Sequence, residues 1–253
     1  MSFEKIKNYF KYQLIGHINR LNNKKVTYKQ WATWQKNNPH KLDNYVKSTN
    51  FAKEQTAQWL MCEPFSQSAF RLLDVGCGPG LMRDLIDRFP KLSQNVIYTG
   101  VDQSETAIAF ARERFASRGE FFIKDALHDE LPAGPFDVIL INAVVEHIPG
   151  FEELVEKCLN LRPKVFVLTT FAVTNLVKKD RILWNGDAGC FMNTYPFGGV
   201  HDFLRRKIEG PIFTAYFGPS SYNPDDYWFP YRGGVLYYCR PVDWTSNLIE
   251  ITN

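Results

Sequence analysis

The stretch LLDVGCGPGL, residues 72–81, decides how this chain is read. An apolar run closes on an acid, Asp74, and glycines follow at every second position: Gly76, Gly78 and Gly80. Glycine reaches backbone conformations closed to other residues and lets a ligand rest on bare main chain. A strand-to-helix turn of this kind suits a nucleotide-like ligand. The dinucleotide fingerprint G-x-G-x-x-G places its third glycine one residue later, where Leu81 stands, and the Gly-Lys-Ser/Thr of an ATP phosphate loop is absent. Asp74 points the same way, since a carboxylate repels a polyphosphate and attracts a cationic amine.

Outward from this turn, strands and helices alternate. FRLLDVG, NVIYTGVD, EFFIKD, FDVILINAVV and PKVFVLTTF read as five strands. LMRDLIDRF, SETAIAFARERFASR and FEELVEKCLNL read as the helices between them. Helical connections of this length imply parallel pairing with right-handed crossovers. Beyond residue 171 the rhythm loosens into a stretch rich in Gly, Asn and aromatics. VHDFLRRKI is a predicted helix, and PIFTAYFG and GVLYYCRP a terminal antiparallel pair. Three acids and an amide then fall at strand ends: Asp74, Asp102 (twenty-two residues after Gly80), Asp125 and Asn142. In open α/β sheets these ends bind ligands, and an acid at the second can accept both hydroxyls of a ribose. Each acid alone also has a structural reading, Asp102 as a helix cap and Asp125 as a loop acid. Their ordered recurrence favours a site.

These segments resemble the class I S-adenosylmethionine-dependent methyltransferases. LLDVGCGPG is similar to their first motif, GVDQSETAI to the acidic second, FIKDALHDELP to the adenine-contacting segment and FDVILINAVVEHI to the fourth-strand motif. The resemblance covers residues 55–171 well and the remainder in outline. It implies a doubly wound, mostly parallel seven-stranded sheet with helices on both faces, and S-adenosyl-L-methionine as cofactor. It also implies residue roles. Asp74 lies near the methionyl end, Gly76, Gly78 and Gly80 allow close backbone approach, and Asp102 holds the ribose with Gln103 beside the adenosine. Asp125 and Ala126 bind adenine, and Asn142 and Ala143 line the methionine side.

A sulfonium donor is activated before it binds, so the protein chiefly positions donor and acceptor. A hydroxyl acceptor must still lose its proton, and a general base contributes about 10²–10⁴-fold. His147, in VVEHIPG after the fourth strand, is the first candidate base. His201, in GGVHDFL, is the second, with pairing to Asp202 at a helix start as its structural alternative. Glu146 reads as an anchor. The fourth-strand segment lacks the Asn/Asp-Pro-Pro-aromatic run of base amino-methyltransferases, the paired glutamates of arginine methyltransferases and the paired acids of metal-dependent catechol enzymes. The expected acceptor is therefore a small molecule, at a hydroxyl, with a sugar or an anionic intermediate as candidates. A methyltransferase for RNA or protein and a non-catalytic cofactor-binding module are the alternatives.

Residues 1–53 hold eleven Lys/Arg against two Asp/Glu, a charge of +9, and the rest carries −6 within a net +3. The first segment reads as a basic helical cover over 1–50, before a methyltransferase domain over 51–253. Within the cover, Phe3, Ile6, Phe10, Leu14 and Ile18 recur at helical spacing; TYKQWATWQK and STNFAKEQTAQWLM suggest further helices. Residues 172–232 form the substrate-side insertion, with Trp184, Asn185, Asp187, Phe191, Tyr195, Phe197, Tyr222, Tyr227, Trp228 and Tyr231 as candidates for acceptor contact or for packing. The five cysteines form no CxxC pair, so neither a disulfide framework nor a metal site is expected. With no apolar run near the ~18 residues of a membrane span, the expected location is cytoplasmic.

Overall fold

The computed structural model of the 253-residue chain describes residues 3–22, 26–27, 39–47, 51–222 and 231–241. Three helices come first: α1 (Phe3–Leu21), α2 (Pro39–Lys47) and α3 (Phe51–Cys62). The alternating region follows as β1 (Phe70–Val75), α4 (Leu81–Asp87), α5 (Pro90–Asn95), β2 (Val96–Asp102), α6 (Glu105–Arg114), β3 (Glu120–Ile123), β4 (Val138–Asn142), α7 (Phe151–Leu159) and β5 (Val165–Thr170). Short pairs then build the insertion: β6 (Val173–Thr174) with β9 (Tyr195–Pro196), and β7 (Trp184–Asn185) with β8 (Cys190–Phe191). The chain closes with α8 (Phe197–Lys207), β10 (Ile212–Tyr222) and β11 (Tyr231–Cys239).

One seven-stranded sheet organises the molecule in the order β10-β11-β5-β4-β1-β2-β3. β1 pairs in parallel with both β2 and β4, so the chain winds outward to β3 and then returns to the other side of β1. That reversal opens a crevice at the carboxyl ends of β1 and β4. The strand residues are apolar on both faces because both are covered. On one face Leu73, Val75, Ile139, Ile141, Phe166 and Leu168 pack under α7 and α8. On the other, Leu72, Val138, Leu140, Val165 and Val167 pack under α3, α4, α5 and α6. In α7, Phe151, Leu154, Val155 and Cys158 lie on one stripe and are all buried, each large side chain contributing roughly 1.5–3 kcal/mol.

The structure revises several boundaries. The helix expected over 81–89 stops at Asp87, and Pro90 starts α5 at the first helical position, where its missing N–H costs no hydrogen bond. β4 ends at Asn142 rather than Val145, because Ala143 turns into the left-handed region with φ 54°. The terminal pair β10–β11 is antiparallel as expected. β11 is also antiparallel to β5, so β10 again runs with the parallel strands. α2 carried no sequence signal that set it apart, although Leu42 and Val46 are buried. The helix expected over 27–36 lies outside the described residues, apart from Thr27. No described helix is long and apolar enough to cross a membrane.

α1 turns an unexpected face inward. Gly16 sits against the carbonyl of Ile182, Arg181 lies over the ring of Tyr9, and Arg20 pairs with Glu152 and Asp180 at 3.3 Å. A methyl group on Gly16 would come within 2.5 Å of that carbonyl oxygen. The apolar stripe Phe10, Leu14 and Ile18 is 66%, 63% and 47% exposed, so it does not seal the core.

Candidate functional site

The turn after β1 is drawn under β2 by two hydrogen bonds, from Gly76 N and Cys77 N to Val101 O at 2.8 and 3.0 Å. Gly76, Gly78 and Gly80 take φ of +74°, +54° and +91°, all in the left-handed region. Asp102 holds the turn from the side. One carboxylate oxygen accepts from Gly78 N at 2.9 Å, and the other from Ser104 N at 2.8 Å. Ser104 in turn caps α6 by accepting from Ala107 N. Each oxygen of Asp102 keeps lone-pair capacity for a further donor. Burial raises its pKa, and the two backbone bonds oppose that rise.

Asp74 is buried at the end of β1, where the Tyr98 hydroxyl donates to it. Burial pushes its carboxyl up to about 6, against the pull of Tyr98 and of Lys53. Lys53, on α3, is likewise buried, and its pKa falls to about 8 although Asp74 opposes the shift. Asp125 accepts from Leu127 N at 3.1 Å and faces the His128 ring at 2.9 Å. At the end of β4 the Asn142 side-chain oxygen accepts from the Thr169 hydroxyl, and Ala143 N donates to Thr169 O at 3.0 Å. A non-glycine residue at positive φ is held by its surroundings at a cost of about 1–3 kcal/mol, and such strain gathers at functional sites.

A short 3₁₀ turn, Val145–His147, follows. Glu146 is fully buried and anchors it, accepting from the Thr170 hydroxyl at 2.5 Å and Phe171 N at 2.9 Å. The insertion grips the same turn. Asn193 N donates to Glu146 O at 2.8 Å, the Asn193 amide donates to Ile148 O at 2.7 Å, and the Tyr195 hydroxyl donates to Val145 O at 3.2 Å. His147 Nδ1 lies 3.2 Å from Phe191 O. A carbonyl oxygen only accepts, so Nδ1 carries the hydrogen and Nε2 of the neutral ring keeps the lone pair.

One cavity of about 990 Å³ connects these groups. Asp74, Gly76, Gly78, Asp102, Gln103, Asp125, Ala126, Asn142, Ala143 and His147 all line it. Gly80 does not; it packs against the buried ring of Phe115. Nor does His201. It lies one turn inside α8 rather than at a helix start, with its ring stacked on Phe197 at 5.6 Å between centroids. Sequence reasoning missed Lys53, His128, Val26, Thr27, Phe171, Ala188, Cys190 and Met192, which line the same cavity. Only His128, three residues beyond Asp125, stood near a recognised motif. Phe191 and Tyr195 are fully buried in the core and do not line the cavity, and the side-chain oxygen Oδ1 of Asn185 accepts from Asp187 N and Ala188 N. Tyr227 and Trp228 lie outside the described residues.

A sheet of this order, closed by one antiparallel strand, with a glycine turn and acids at its carboxyl edge, is the class I methyltransferase architecture. Residues 73–162 match the methyltransferase domain family, and the fold is that of the class I S-adenosylmethionine-dependent methyltransferases. A ubiquinone biosynthesis O-methyltransferase of Caulobacter sp. (strain K31) is 38% identical over 95 residues, 36% of each chain. A malonyl-[acyl-carrier protein] O-methyltransferase of Calditerrivibrio nitroreducens is 28% identical over 184 residues, 69% of this chain and 67% of that protein. The chain thus spans about a third of the first relative's length and two thirds of the second's. Among solved structures, the Burkholderia thailandensis 1,6-didemethyltoxoflavin-N1-methyltransferase superposes with a TM-score of 0.55 at 16% identity, covering 85% of this chain and 91% of that one. At that identity the likeness speaks for the fold.

Proposed function

We propose that the chain transfers a methyl group from S-adenosylmethionine to a hydroxyl of a small-molecule acceptor. The observation that carries this reading is the single cavity into which Asp74, Asp102, Asp125, Asn142 and His147 converge from four successive strand ends. The donor set fits the cofactor. Asp102 offers its remaining lone pairs to the ribose hydroxyls, with Gln103 beside them. Asp125 and Ala126 meet the adenine edge. Asp74 faces the methionyl ammonium, Lys53 the methionyl carboxylate, and Asn142 and Ala143 line the methionine side. S-adenosylmethionine, when bound, supplies a methyl group already activated on a positively charged sulfur. His147 Nε2 takes the proton of the acceptor hydroxyl, and Phe191 O holds the ring in the tautomer that can do so. His201 is set aside as a base, because it does not line the cavity. Residues 1–50 act as a cover and 172–232 as the acceptor-side insertion of a domain over 51–253; α1 resting on residues 181–183 supports this division.

Calorimetric titration with S-adenosylhomocysteine tests the donor half. Asp102→Ala is expected to weaken binding by about tenfold or more, since it removes charge-assisted hydrogen bonds of roughly 1.5–3 kcal/mol. Equal affinity in two correctly folded proteins would remove Asp102 from the ribose site.

Binding of the donor should also depend on pH with a definite sign. A cationic group beside Asp74 stabilises its ionised form, and the Asp74 carboxyl holds its proton up to about pH 6. Below that pH the proton must leave before the donor binds, so affinity falls with acidification, by up to about tenfold per pH unit. Titrations between pH 5 and 7.5 should show this slope in the wild type and a flatter one in Asp74→Asn. The same slope in both proteins would place the titrating group elsewhere.

A further inference from the structure

We propose that the acceptor end of the cavity is built for an apolar body carrying one reactive hydroxyl, and selects against sugars and anions. The proposal rests on the reading of the His147 end as the acceptor end. That end is closed by two segments distant in sequence. Thr27 N donates to Gly189 O at 2.8 Å, which joins residues 26–27 to the insertion beside β8. The wall they form is Val26, Ala188, Cys190 and Met192, and the turn after β4 and the end of β5 complete it with Ile148 and Phe171. Val26, Ile148, Ala188 and Cys190 belong to one buried apolar cluster, and Met192 packs against it.

The polar groups of the described cavity lining are distributed unevenly. The acids Asp74, Asp102, Glu105 and Asp125 all lie along the donor half. Lys53 sits within the field of Asp74, and Lys124 directly follows β3 on the adenine side. At the acceptor wall the polar side chains are His147 and Thr27, and the Thr27 hydroxyl already donates to Gly189 O at 3.4 Å. A sugar placed there would bury several hydroxyls against carbon, each left without a partner. Among the described lining residues no cation faces an anion placed there, which would lose its hydration. An apolar ring or short chain loses nothing by leaving water, and its one hydroxyl finds His147. Among the described aromatics of the insertion, Phe191 and Tyr195 do not alter this balance, because both are enclosed in the core behind the wall.

The test is calorimetry on the full chain saturated with S-adenosylhomocysteine, whose own binding heat reports the donor reading separately. The probes are 2-naphthol, methyl β-glucopyranoside and glucose 6-phosphate. The expected result is saturable binding of 2-naphthol, with both sugars weaker by about tenfold or more. Met192→Lys, which sets an ammonium in the wall, is expected to weaken 2-naphthol by about tenfold while S-adenosylhomocysteine binds as before. Met192→Leu should keep the wild-type affinity for 2-naphthol. Either sugar binding as tightly as 2-naphthol, or Met192→Lys binding 2-naphthol like the wild type with its donor affinity intact, would overturn the proposal.

Discussion

Replacing His147 with alanine is expected to slow the methyl-transfer step by about 10²–10⁴-fold, roughly 3–5 kcal/mol of barrier, with donor affinity nearly unchanged. The split follows from the site. His147 lines the cavity from the 3₁₀ turn after β4, while the acids proposed to hold the donor, Asp74, Asp102 and Asp125, lie at the ends of β1, β2 and β3. The removed interaction therefore belongs to the transition state, and a fall in rate without a fall in donor binding is its signature. Single-turnover formation of S-adenosylhomocysteine, with 2-naphthol as acceptor, measures the rate. A second readout needs no acceptor. Because Phe191 O lies 3.2 Å from Nδ1, ¹⁵N spectra of labelled histidine should show the Nδ1–H tautomer for His147. Asn193→Ala, which removes the hydrogen bond that the Asn193 amide donates to Ile148 O, should let the other tautomer appear. A His147→Ala protein that retains its rate would leave the ring with a packing role beside Phe171, whose ring centroid is 6.1 Å away.

Gly80→Ala is expected to destabilise the fold by about 2–5 kcal/mol. Two penalties coincide there. The backbone sits at φ +91°, where a Cβ is strained, and that Cβ would lie 2.5 Å from Cε2 of Phe115. The Phe115 ring is fully buried and stacked on Phe121, with Arg114 and Arg118 over it, so it has little room to move. Gly78→Ala makes the contrast. Its φ is +54°, but the nearest atom to its Cβ would be Leu81 Cδ1 at 3.9 Å, so backbone strain of about 1–2 kcal/mol remains alone. Urea unfolding of both variants checks the difference. Phe115→Leu should recover part of the Gly80→Ala loss in the double mutant. Equal losses for Gly78→Ala and Gly80→Ala would mean that contact with Phe115 does not matter.

The end of the cavity under β1, β2 and β3 was legible because its pattern is local. A strand, a glycine turn and an acid at the next strand end are each readable within a few residues, and parallel winding brings the ends together at the reversal beside β1. The five parallel strands, the glycine positions and the cavity placement of Asp74, Asp102, Asp125, Asn142 and His147 all follow from that grammar. Glu146 as an anchor was legible too, from its place in the turn after β4.

The end of the cavity around His147 was decided by tertiary structure. Val26, Ala188, Cys190 and Met192 line one cavity from segments more than a hundred residues apart, and no short motif marks any of them. Aromatics that look in sequence like a binding surface, Phe191 and Tyr195, are enclosed by the core, while His201 stacks on Phe197 outside the cavity lining. α1 shows the reason most plainly. Periodicity placed Phe10, Leu14 and Ile18 on one face, but the helix rests on residues 181–183 through Tyr9 and Gly16. A repeat of three and four residues says which side chains share a face of a helix. Which face is buried depends on the surface it meets, here a carbonyl that only glycine can approach.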